Sequence, residues 1–228
     1  MNDIQHRRGA GTALVAAGGV YFAAEFVAAA AWSDPAYSYT HHFISNLGVH
    51  GPLTAFGQYM YSPLAAVMNA GFFLLGVATL IGVSMLRGLP AGRRTALVTT
   101  AAVLAAGMVL VAAFPGSGDD GTTDFHGLGA LLGFVSCNVL SVLLGRSHRF
   151  LGVSPTLGRA LVLFGVLGLA SIGAFAGTLA SGAGILIGLA ERGIIYPFLV
   201  GLILLGSTLL RPVRRDAEAP MAARTLRG

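Results

Sequence analysis

The stretch Gly9 to Trp32 reads GAGTALVAAGGVYFAAEFVAAAAW, and Glu25 is its one charged side chain. Its 24 residues exceed the ~20 that a helix needs to cross a hydrocarbon core. Arg7 and Arg8 stand immediately before it, as in a secretory signal, but the run is long and a cleaved apolar region rarely carries an acid at a position like Glu25. It reads as a retained membrane span.

The same character continues outward. The 228 residues are 55% hydrophobic and 10% charged, and the mean hydropathy is +0.76, more apolar surface than one soluble domain buries. The 33 glycines lie among Ala, Leu and Val, where small residues let membrane helices approach closely. Cys137 is the single cysteine and sits in an apolar segment, which excludes an intrachain disulfide and a CxxC-type metal site.

Six segments follow: 9–32, 62–86, 95–115, 125–145, 160–180 and 193–210. The last is short, so Gly182–Ala190 either extends it or forms a re-entrant turn. The expected fold class is therefore all-α, a polytopic helical bundle spanning 1–210, followed by a disordered cytoplasmic tail over 211–228 that carries arginines. All 14 basic residues are arginine, and thirteen fall before the first span, after the last, or between spans two and three and spans four and five. By the positive-inside rule that face is cytoplasmic, with both chain ends in. The net charge of +5 thus reflects topology, and nucleic acid is not an expected partner.

Most candidate chemistry then falls on the opposite face. The 33–61 connection is expected to fold over the bundle mouth, with a short helix through Leu53–Tyr61. Trp32, Tyr37, Tyr39, Tyr59 and Tyr61 suit an interfacial aromatic belt. Glu25 is costly inside a span, by roughly 2.5–3.5 kcal/mol on insertion scales, so it is either hydrogen-bonded between helices or a ligand, proton carrier or acid in a cavity. His41 and His42, with Asn46 near them, read as an interfacial hydrogen-bonded element rather than a metal site, and are candidates for holding a ligand. Asp124 caps the fourth helix or joins the site; His126 lies on a small-residue face with Gly129 and Gly133. Asp119 and Asp120 read as a solvated acidic turn, without the ligand spacing of an EF-hand. Glu191 and Arg192 are adjacent and so face different partners, Arg192 pairing with Asp124, Glu25 or a lipid phosphate. Asn69 and Asn138 are expected to hydrogen-bond between helices.

Taken in order, His-Phe-Ile-Ser-Asn-Leu-Gly48, Met68-Asn-Ala-Gly-Phe72, Phe114-Pro115 with Asp124 and His126, and Ala190-Glu-Arg192 resemble the bacterial membrane family called domain of unknown function 998, over roughly residues 10–210. The layout is also distantly similar to the six-span Frag, DRAM and Sfk proteins, though Asn46 stands where those often have Asp. That wider likeness implies a link to lipid remodelling or distribution, and the nearer one implies the fold without an activity.

No Walker loop, dinucleotide fingerprint, HExxH or GxSxG motif is present. The reading is a multi-pass protein of the bacterial cytoplasmic membrane whose outer cavity binds or modifies a lipid-like or isoprenoid-like amphipathic molecule. Catalytic candidates are Glu25, His126 and Asp124; ligand-binding candidates are His41, His42, Asn46, Asn69, Glu191 and Arg192. Catalysis, any cofactor and the metal content are open, no residues are assigned to a metal, and the expected partners are membrane lipids and a lipid-like or isoprenoid-like small molecule. An enzyme would use a His and a carboxylate as base and acid, with Zn²⁺ as one option. The alternative is a non-catalytic scaffold or transport-associated subunit; an exposed stripe of Gly165, Gly168, Gly173 and Gly177 with no polar cavity would favour the scaffold.

Overall fold

Backbone polar groups have no partner in hydrocarbon, so an apolar chain of this kind satisfies them within helices. Six helices form over the six apolar runs: α1 Asp3–Ala31, α2 Ala65–Ser84, α3 Ala91–Ala113, α4 Thr123–Arg146, α5 Pro155–Ser181 and α6 Ile187–Leu210. The computed structural model describes residues 3–55, 57–116, 123–182, 184 and 186–212. The most apolar stretches of the helices average 1.7 to 2.3 in hydropathy, and the shortest, α2, has 20 residues, or about 30 Å of helix. The protein is a polytopic all-α membrane bundle. Residues 213–228 of the expected tail, with Asp119 and Asp120, lie outside the described residues.

Short connections make consecutive helices antiparallel neighbours. Each packs on the next, α6 returns to α1 and closes the ring, and α4 also touches α6. The closing seam depends on missing side chains. A Cβ on Gly206 would stand 2.6 Å from the carbonyl oxygen of Gly11, and one on Gly11 would stand 2.8 Å from that of Gly206. Helix α5 is the loosest member: its buried residues, Gly158, Leu161, Gly165 and Gly168, all lie in its first half. The glycine stripe accordingly divides. Gly165 and Gly168 pack on Asn138 of α4, whereas Gly173 and Gly177 have open space around them.

Between α1 and α2 the chain folds down over one end of the bundle, here called the loop end. A 3₁₀ turn, Ser45–Gly48, rests on α2 and α1, and Ile44, Leu47, Val49 and Met60 are buried. The short helix expected over Leu53–Tyr61 is absent. A hairpin stands there, β1 Leu53–Ala55 with β2 Gln58–Met60, paired Leu53 to Met60 and Ala55 to Gln58. Three residues on each side alternate in burial around Gly57, whose φ of +70° favours glycine and ends any helix at that point.

At the start of α6, the extension of the short 193–210 span is the alternative that holds. The segment after Gly182 extends the sixth helix back to Ile187, so Glu191 and Arg192 are inside it. No capping side chain marks that end; Leu186 precedes it at φ +60°. Tertiary structure supplies the cap instead. The free N–H groups of Gly188 and Leu189 donate to the carbonyl of Thr40 at 3.0 and 3.3 Å.

Candidate functional site

Glu25 occupies the α1–α6 seam near the loop end and is fully buried. Arg192 reaches it from α6. Its Nη2 and Nε donate to Glu25 Oε1 at 2.8 and 3.1 Å, and the Tyr196 hydroxyl donates to the same oxygen at 2.8 Å. Tyr196 stands one helical turn beyond Arg192, the spacing that puts two residues on one face. Burial of an ion pair this deep is tolerable only with the remaining donors satisfied. Here they are. Arg192 Nη1 donates to Tyr39 O at 2.6 Å and Gly188 O at 3.0 Å, and Nη2 also donates to the Tyr37 hydroxyl at 2.6 Å. Tyr37 in turn donates to Phe43 O at 3.0 Å. The guanidinium also lies 4.8 Å from the ring centroid of Tyr39. Tyr37 and Tyr39, assigned above to an aromatic belt, are therefore partners of the ion pair.

Glu191 points elsewhere, as adjacent helical residues must. Its Oε2 accepts from the backbone N–H of Ile44 at 2.5 Å, where the chain enters the 3₁₀ turn. An anionic or polar oxygen there satisfies a donor that the turn leaves unpaired. The other polar candidates on the loop are fasteners as well. Asn46 Nδ2 donates to Gln58 Oε1 at 2.6 Å, Gln58 Nε2 donates to His41 O at 2.6 Å, and Asn69 Nδ2 donates from α2 to Gly48 O at 3.0 Å. His41 is exposed, with its ring nitrogen Nδ1 2.7 Å from the Thr40 hydroxyl.

His42 has a defined tautomer. Its Nδ1 accepts from the Ser38 N–H at 2.9 Å, so the ring proton is on Nε2. The ring stacks on Trp32 with centroids 5.2 Å apart and planes 14° apart. Burial, then the neighbouring His41 and Arg192 charges, hold its pKa below the ordinary imidazole value. Burial likewise holds the Tyr37 hydroxyl neutral by raising its pKa, against the lowering effect of Arg192.

His126 and Asp124 do not join this cluster. His126 lies in the α3–α4 seam, its Nδ1 2.8 Å from Phe114 O, close to the Gly116 backbone. Gly129 and Gly133 beside it do admit a neighbour: a Cβ on α3 Gly107 would sit 2.7 Å from Gly129 O. Asp124 is exposed in the first turn of α4. No hydrogen bond or ion pair among the described residues links either to Glu25 or Arg192, whose mutual pair is the single salt bridge there. The expected four-residue convergence thus reduces to Glu25 and Arg192, joined by Tyr196, Tyr37 and Tyr39. Asn138 fulfils its interhelical role, donating to Ile194 O of α6 at 3.1 Å, one residue past the Gly193 carbonyl that Pro197 leaves without its usual helical partner. No grouping of three His, Cys, Asp or Glu suited to a metal occurs among the described residues.

One atom of the cluster is unsatisfied. Oε1 of Glu25 accepts three hydrogen bonds, while Oε2 is buried and has no partner; buried Trp32 Nε1 and Asn69 Oδ1 at the same end are also unpaired. Two concavities lie elsewhere among the described residues: an apolar groove of about 480 Å³ on the outer side of α1 and α2, along Val20, Ala24, Val27, Ala70 and Leu74, and a mostly apolar cleft with charged residues in its lining at the opposite, arginine-bearing end.

No curated protein and no solved structure matches the chain. A family model does: residues 15–208, which contain all six spans in whole or large part and every residue of the Glu25–Arg192 cluster, match the family described as "Protein of unknown function (DUF998)", and the chain belongs to that family.

Proposed function

We propose that this membrane protein binds an amphipathic molecule, lipid-like or isoprenoid-like, whose polar end donates a hydrogen bond to Glu25 beneath the loop cap. The observation that carries this reading is the unpaired Oε2 of Glu25. A buried carboxylate oxygen without a donor is expensive, and hydroxyl or amine donation from a ligand would offset that cost. The loop end faces outward and the arginine-bearing end faces the cytoplasm, in a bacterial cytoplasmic membrane; the placement of thirteen arginines supports this orientation. Acid–base catalysis by Glu25 with His126 receives no support from their separate seams.

A second reading is favoured by a different observation. Every N–H of Arg192 has an acceptor within the protein, so the cluster also suits a latch that holds the cap on a non-catalytic scaffold. Two variants separate the readings when thermal stability in detergent and retention of co-purifying lipid are measured on the same preparations. Glu25→Gln removes the acid; Tyr37→Phe removes one latch bond and leaves Glu25 intact. Ligand binding at Glu25 requires Glu25→Gln to lose retention out of proportion to stability and Tyr37→Phe to keep it. Retention that falls only in step with stability in both variants leaves the latch reading.

A further inference from the structure

The cleft at the arginine-bearing end has its own chemistry. It encloses about 230 Å³ and is lined by Asp3, Arg7, Arg87, Phe150, Leu151 and Leu209, so the start of α1, the α2–α3 and α4–α5 connections and the end of α6 all contribute. Its charges are two arginines and one aspartate. Arg7 is oriented by a bond from its Nη1 to Leu151 O at 2.8 Å, while its Nε is buried without a partner. Arg87 is exposed and makes no hydrogen bond or ion pair with a described residue; Asp3 is within ion-pair distance of neither arginine. A guanidinium already fixed by a backbone carbonyl, with unpaired N–H groups over an apolar floor, suits the oxygens of a phosphate attached to something greasy. Arg93, held 5.2 Å over the Phe150 ring, adds positive charge at the rim.

We propose that this cleft binds a phosphate group, presented by an anionic phospholipid headgroup or by a soluble phosphoester. The site is distinct from the Glu25 cluster and sits at the other end of the bundle.

Native mass spectrometry of the purified full chain with equal phosphatidylglycerol and phosphatidylcholine tests it. The intact protein retains phosphatidylglycerol in preference. Arg87→Gln, which removes no bond to a described residue, weakens that retention about tenfold, the size of one charge-assisted hydrogen bond. Arg159→Gln, an exposed arginine at the same end but off the cleft, leaves it unchanged. Inorganic phosphate in a parallel arm assigns the source. Thermal stabilisation by phosphate that Arg87→Gln removes points to a soluble phosphoester; stabilisation by phosphatidylglycerol alone points to lipid. Equal retention of both lipids with no phosphate effect, an Arg87→Gln protein that binds as the parent does, or an equal loss in Arg159→Gln overturns the proposal, the last because it reduces binding to general surface charge.

Discussion

Arg192 has five N–H donors and an acceptor for each, whereas Glu25 accepts with one oxygen only. That asymmetry makes the pair strongly coupled. Arg192→Met strands the Glu25 charge in a dry seam and is expected to cost about 3–5 kcal/mol. Adding Glu25→Gln removes the stranded charge, so the double variant should lose about 1–3 kcal/mol less than the sum of the singles in reversible unfolding in mixed micelles. Strict additivity would mean that the pair is not a unit. His42 supplies a pH-dependent prediction. Its folded pKa lies below the ~6.5 of the unfolded chain, so its contribution to stability is fully present above ~6.5 and is lost as pH falls toward the folded value. Protonation puts a hydrogen on Nδ1, where the Ser38 N–H now donates. The thermal midpoint should therefore fall more between pH 7.5 and 5 in the parent than in His42→Gln; equal slopes would contradict this. The Glu25–Arg192 pairing was partly legible in sequence: an intramembrane acid needs a partner, and Glu25 was one of three partners the sequence offered Arg192, beside Asp124 and a lipid phosphate. Tyr196 was legible too, four residues after Arg192, but was not singled out. Tyr37 and Tyr39 were not legible as partners, since the loop fold that delivers them depends on contacts distant in sequence.

At the level of elements, all six spans are readable from hydropathy, because lipid imposes length and composition together. The ends are less so. Helix α6 begins six residues before 193 because the Thr40 carbonyl and the loop, rather than a local capping residue, satisfy its first N–H groups. The hairpin at Leu53–Met60 was missed because three-residue strands carry almost no periodicity. These same contacts give a sharp test of the cap. A Cβ on Gly188 would fall on the His42 carbonyl and within 2.8 Å of that of Tyr39, both backbone atoms that cannot rotate away. Gly188→Ala should lift the loop, destabilise the protein by about 1–3 kcal/mol and speed amide exchange at His42 and Ile44, with α3 and α4 unaffected. Unchanged exchange in the loop would show that the cap is not fastened to α6.

For the whole molecule, the proposed orientation rests on the arginines alone and is directly measurable. Cys137 is buried and should stay silent, so single cysteines can be read against it. His50→Cys on the exposed loop should react with an impermeant maleimide in intact cells, and Gly92→Cys, with open space around it, should react only after permeabilisation. The reverse pattern inverts the protein and with it the proposed outer site. The closed ring then presents one polar cluster at each end, of which the loop-end cluster, with its unpaired acid oxygen, carries the account. A density map of the full protein in nanodiscs made from native lipid tests that most directly. Non-protein density within hydrogen-bonding distance of Glu25 Oε2 is the predicted result; a well-ordered map in which protein atoms alone close around that oxygen would contradict it.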